Sequence, residues 1–98
     1  MSGFEKRLAE IGVTLPDAPA PAANYVPYVQ IGDLVHVSGQ ISMKDGEFIV
    51  GKLGDNMDAE TGAAAARQCA IALRAQVKAA CGGDLDRLQR VVKLVGFV

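Results

Sequence analysis

Apolar and polar residues alternate over Leu34 to Ile41, LVHVSGQI, with Leu34, His36, Ser38 and Gln40 on one face and Val35, Val37, Gly39 and Ile41 on the other. A period of two predicts a strand. The shorter run Tyr28–Ile31 precedes it, and Gly32-Asp33 between the two predicts a tight hairpin turn. The second face is apolar and belongs on a helix or core. The first carries three polar groups, and serves either as a solvated face or as the wall of a site. Gly39 marks a bulge or the close approach of another group. Ser42–Val50, SMKDGEFIV, predicts a second hairpin around Asp45-Gly46, a strong type I′ signal.

Elsewhere the period lengthens to that of a helix. Phe4, Leu8 and Ile11 fall at i, i+4 and i+7, so 3–11 predicts a short amphipathic helix with Ser2 as N-cap, Glu5 as its capping-box partner and Gly12 at the C-terminal stop. A helix this short must dock on something. A long helix is predicted from Ala59 to Cys81, with Asp58 as N-cap and Gly82-Gly83 as terminator. Ala66, Ala70, Leu73, Val77 and Ala80 form its apolar stripe, small enough to sit close to a sheet. Residues 84–89 predict a turn, and Arg90–Val98, RVVKLVGFV, a strand that returns beside the first hairpin. Between the leader helix and the first strand, Pro16, Pro19, Pro21 and Pro27 favour extended backbone.

The order α, β, β, β, α, β predicts an α+β domain. Its long helix makes a right-handed crossover and covers one face of a mixed sheet. The other face stays apolar and bare, which implies a partner. Domain organisation follows as residues 1–24 for leader helix and linker and 25–98 for the main unit. The last strand is apolar to its final residue, so the chain reads as cut short.

Composition narrows the function. Half of the 98 residues are hydrophobic, much of that Ala and Val, which suits subunit contacts. Ten basic residues against 11 acidic ones leave a formal net charge of −1, with the basic residues scattered. A nucleic-acid partner would need a basic patch, so none is expected. No stretch of 18 apolar residues or charged-then-apolar leader occurs, so a cytoplasmic protein without membrane contact is expected. Cys69 and Cys81 lie twelve residues apart on one helix. That is roughly 18 Å of rise and beyond disulfide reach, so both read as free thiols.

Few residues suggest chemistry by themselves. His36 and Ser38 share a strand face, but no third orienting group or nucleophile elbow accompanies them. Two distant cysteines and one histidine do not make a zinc site. Asp55, Asp58 and Glu60 lack calcium-loop spacing and read as a cap and a solvated loop. Gly51-Lys52-Leu53-Gly54 is not a phosphate loop. No metal is expected.

Pro27-Tyr28-Val29-Gln30 followed by Ser38-Gly39-Gln40-Ile41 resembles the RidA/YjgF (reactive-intermediate deaminase, "endoribonuclease L-PSP") family. So do Ala18-Pro19-Ala20-Pro21 before them, the Asp45-Gly46 hairpin, Ala65-Ala66-Arg67-Gln68, and Val91-Val92-Lys93-Leu94 with Gly96-Phe97-Val98. Gly12-Val13-Thr14-Leu15-Pro16 and the 51–55 loop resemble a longer-chain subgroup. The resemblance implies a chorismate-mutase-like α+β subunit in a homotrimer, with ligand clefts between subunits. It implies hydrolysis of 2-imino or enamino acids to 2-oxo acids and ammonia, without metal or organic cofactor. Tyr28, Ser38 and Gly39 match the family's substrate-binding segment. The family's carboxylate-clamping arginine and water-positioning glutamate lie on strands beyond residue 98. The resemblance therefore carries those roles to none of Arg67, Arg74, Arg87 or Arg90, and catalytic residues stay unassigned. The alternative is a non-catalytic, small-molecule-binding or regulatory trimer on the same fold. Ribonuclease activity, ascribed to some relatives, fits the charge balance less well.

Overall fold

A computed structural model describes residues 3–18 and 24–98. The expected Ser2 cap and part of the proline linker lie outside these residues. Helix α1 (Gly3–Glu10) is followed by strands β1 (Tyr28–Ile31), β2 (Leu34–Val37), β3 (Met43–Lys44) and β4 (Glu47–Phe48). Helix α2 (Ala59–Ala80) and a 3₁₀ turn (Leu85–Arg87) complete the order. The expected α+β class holds.

Both hairpins form where turn chemistry predicts them. Strands β1 and β2 pair antiparallel from Ile31 with Leu34 to Tyr28 with Val37. Strand β3 pairs with β4 through Met43–Phe48 and Lys44–Glu47. Asp45 and Gly46 both take left-handed backbone, at φ 53° and 81°, as a type I′ turn requires.

Strand β2 stops four residues short of the expected Ile41. The reason is Pro27. The Ser38 backbone N–H still donates to the Pro27 carbonyl at 2.9 Å. Proline has no N–H to return, so the ladder ends on a half-made pair. The Ser38 carbonyl instead accepts from the Gln40 side-chain amide at 3.0 Å. The chain from Gly39 to Ile41 therefore leaves the sheet and becomes a loop.

Helix α2 begins where expected, with the Thr61 N–H donating to the Asp58 carboxylate at 2.8 Å. The Thr61 side chain and then its backbone N–H hold the Asp58 carboxyl below its ordinary range. At the far end, Gly82 and Gly83 return their N–H groups to Ala79 and Lys78, a Schellman closure with Cys81 as cap. Helix α2 packs on β1, β2 and β3. Its buried residues are Ala75 and Gln76, not the predicted stripe. Ala70, Leu73, Val77 and Ala80 are half-buried, and Ala66 is exposed. Alanine occurs around most of the helix circumference, so apolar spacing did not single out the side that is covered.

Two expectations about the sheet are corrected. The mixed sheet is absent among the described residues, which hold two separate antiparallel hairpins. Residues 90–98 form no strand and are exposed along their length. A strand is stabilised by its neighbour, and alternation supplies side-chain faces but no partner edge.

The leader helix docks, as its length requires, but at the opposite end of the chain. The Asp86 carboxylate accepts from the Gly3 and Phe4 N–H groups at 2.9 and 3.2 Å. It thereby caps α1 from 83 residues away. Lys78 on α2 pairs with Glu5 at 2.8 Å. The buried hydrophobic residues, Val13, Ala75 and Leu85, belong to the leader, α2 and the 3₁₀ turn, while neither hairpin contributes one. Val29, Ile31 and Leu34 remain exposed on one face of the first hairpin.

Candidate functional site

The Gly39–Ile41 loop, the β3–β4 hairpin, the exit of α1 and the flank of α2 leave a cleft of about 720 Å³ between them. Pro27 creates its first wall by ending β2. Ser38 is then fixed twice to the Pro27 carbonyl, through its backbone N–H and through its hydroxyl, both at 2.9 Å. Gly39 follows at the cleft surface. Its φ is not positive, so the turn does not demand glycine there. A Cβ at Gly39 would meet no atom within 4 Å, so the missing side chain leaves open space in front of the backbone. That is the geometry a ligand needs to approach main chain closely.

The second wall is helical. Arg67, Gln68, Ile71, Ala72 and Gln76 of α2 line the cleft. Gln76 is only 1% exposed, a buried polar residue. Lys44 and Arg67 are the cationic residues of the lining, and Asp17 and Asp45 the acidic ones. Val13, Pro16, Tyr25, Ile41 and Phe48 belong to the apolar part.

Of the three residues singled out by motif, Ser38 and Gly39 meet at this cleft. The lining of this cleft includes Tyr25 and not Tyr28. Tyr28 is half-buried at the start of β1, opposite Val37. The pattern of the sequence did not bring forward Arg67, Lys44 or the leader residues as cleft components. No local signal marks them, because they come from three separate elements. The Ser38 hydroxyl donates to a backbone carbonyl. This bond leaves no proton on that oxygen directed at His36, in keeping with the rejection of a Ser–His pair. Both cysteines are free. Among the described residues, no group of three or more His, Cys, Asp or Glu side chains is placed to hold a metal. No helix among them is long and apolar enough to cross a membrane.

The hairpin-and-helix fold is shared with proteins of known structure. The chain belongs to the family described as "YjgF/chorismate mutase-like, putative endoribonuclease", whose model matches residues 5–98. It is 50% identical over 92 residues to Protein TCP17 of Trypanosoma cruzi, covering 93% of this chain and 57% of that protein. The crystal structure of Atu1372 from Agrobacterium tumefaciens, a protein of unknown function, superposes with a TM-score of 0.76 at 46% identity. That match covers 91% of this chain and 54% of the other. A "putative endoribonuclease" from Shewanella oneidensis gives a TM-score of 0.77 at 37% identity, covering 85% and 55%. The chain thus spans little more than half the length of these relatives. The family expected from the PYVQ and SGQI segments is the family found.

Proposed function

We propose that the cleft at Ser38–Gly39 binds 2-imino acids and that the assembled protein hydrolyses them in the cytoplasm to 2-oxo acids and ammonia. The observation that carries this reading is the open backbone at Gly39, next to a serine held rigid by two bonds to Pro27. In the reaction, water adds to the C2 carbon of the C=N group to give a carbinolamine. Its C–N bond then breaks, the nitrogen leaves as ammonia with the proton it gains, and the C2 oxygen becomes the new carbonyl. The chain's part is to hold the substrate against the 38–39 segment. Arg67 and Lys44 are the cations of the cleft lining, and neither is assigned the carboxylate clamp. No residue is assigned as general acid or base. The exposed Val29, Ile31 and Leu34 face supports association with further copies, as a homotrimer in this reading.

The test is release of ammonia from 2-iminopropanoate generated in situ from alanine by an amino-acid oxidase. Turnover is expected in the unaltered protein. Gly39→Ala should keep its Tm, because the added methyl meets nothing, yet lose at least roughly tenfold in rate because it fills the ligand's place. No rate above buffer from the unaltered protein ends the enzymatic reading. Saturable 2-oxo acid binding without turnover favours the binding or regulatory module on the same fold.

A further inference from the structure

Helix α1 is held mainly by polar contacts. Its eight residues are too few to stay helical alone in water, so α1 exists only while docked. Apolar burial does little of that docking. None of its residues is buried, and Phe4 and Ile11 of the predicted apolar stripe are 45% and 49% exposed. What holds its start is charged. The Asp86 carboxylate accepts from the Gly3 and Phe4 N–H groups, and Lys78 pairs with Glu5. The receiving side is built without the leader. Asp84 accepts from the Asp86 N–H at 3.0 Å through its carboxylate and from the Arg87 N–H at 3.2 Å through its carbonyl. The Arg87 guanidinium donates to the Cys81 carbonyl at 3.2 Å and ties this turn to the end of α2. Helix α2 is capped at both ends and packs on three strands. Opening follows the fewest buried contacts, so α1 yields before α2 does.

We propose that residues 3–17 form a strap that releases as a unit while α2 stays folded, with Asp86 and Lys78 as its latch. Release carries away Gly12, Val13, Thr14, Pro16 and Asp17, which line the cleft that Ser38 and Gly39 also line. The helix and this lining are joined. The Val13 N–H closes on the Leu8 carbonyl at 2.8 Å, and the Gly12 N–H on the Ala9 carbonyl at 3.1 Å. The latch thereby sets whether the 38–39 segment faces the leader or solvent. Each latch contact uses a carboxylate near the surface, so salt loosens both. The strap works in this way whatever ligand the cleft takes, and it does not rest on the 2-imino acid reading.

The experiment is hydrogen exchange of the full chain, read by mass spectrometry on peptides from the leader and from α2 at rising, sub-denaturing urea. The leader amides should be protected, yet exchange at least about tenfold faster than those of α2. Urea should hardly change their rate, because a local opening exposes little surface. Asp86→Ala, at an exposed position, should speed the leader about five- to tenfold and leave α2 unchanged, the effect of losing a helix cap. Lys78→Met should speed it about twofold, a difference that high salt erases. Leader exchange that keeps the rate and urea dependence of α2 overturns the strap. So does an Asp86→Ala protein whose leader is unchanged, or whose leader and α2 quicken equally. Exchange of the leader at the speed of an unfolded peptide in the unaltered protein overturns it as well, since the latch would then never be closed.

Discussion

Two apolar stretches of this chain both predict a strand and meet different ends. Leu34–Val37 is a strand, paired along its length with Tyr28–Ile31. Residues 90–98 hold four valines in nine positions and form no strand. The difference lies in what flanks them. Leu34 follows a two-residue turn that delivers a partner strand already in register, so the entropy of closing the pair is small. Arg90 follows a 3₁₀ turn, and residues 90–98 pair with neither hairpin. Alternation thus states which side chains would share a face, and a nearby turn decides whether the face is built.

The comparison is broken most directly with two leucines nine residues apart. Leu85, in the 3₁₀ turn, is 3% exposed, and Leu94, in the unpaired run, is 74% exposed. Leu85→Ala should cost about 3 kcal/mol, a cavity in a core of few large side chains. Leu94→Ala should stay within about 0.5 kcal/mol. Thermal unfolding followed by circular dichroism separates them, with a Tm drop of roughly 10–20 °C for the first and next to none for the second. Equal costs would mean that the run is packed in solution and that the contrast drawn here is wrong.

A smaller effect tests the turn itself. Gly46 sits at φ 81° in the β3–β4 turn. Gly96 has no such constraint and open space where a Cβ would go. Gly46→Ala should destabilise by about 1 kcal/mol, the ordinary penalty for a Cβ in left-handed backbone. Gly96→Ala should be neutral or slightly stabilising, since it only narrows the unfolded ensemble. Chemical denaturation midpoints report both, and a neutral Gly46→Ala would show that the hairpin does not depend on its turn.

The same division explains how much could be read from the sequence. Elements whose signals are local were legible to within a residue or two. Asp58 and Gly82 mark the ends of α2, Gly12 ends α1, and Asp45-Gly46 places the second hairpin. The family was legible because its most specific residues, Ser38-Gly39-Gln40-Ile41, are contiguous. What could not be read depends on pairs of distant residues. The Asp86 cap on α1 joins positions 83 apart, and nothing around either end announces the other. The buried side of α2 was misjudged for a related reason. An alanine-rich helix offers several acceptable faces, and the burial of the Ala75 and Gln76 side is a tertiary choice. The cleft combined both kinds of information. Its Ser38-Gly39 wall was visible in the motif, while Arg67, Lys44 and Val13 reach it only through folding.

The smallest expected effect concerns the most local signal of all, the start of α2. Hydrogen bonds from Thr61 lower the Asp58 pKa below its ordinary 3.8. A carboxyl whose pKa falls on folding stabilises the folded state fully above its unfolded value, about 3.9. That contribution fades as pH drops through the lower, folded value. The dependence therefore lies below about pH 4 and is absent at neutral pH. Asp58→Asn keeps a side-chain oxygen to accept from the Thr61 N–H but removes the titrating proton, and asparagine caps about as well as aspartate. The two proteins should melt nearly together at pH 7. Between pH 4 and pH 2 the unaltered chain should lose slightly more Tm than the variant, with the other carboxylates common to both. Identical acid profiles would mean that the Asp58 bond forms equally in the unfolded chain. In that case even the cap is a property of local sequence rather than of the fold, and the line between the paired and unpaired halves of this molecule would have to be drawn further toward the turns.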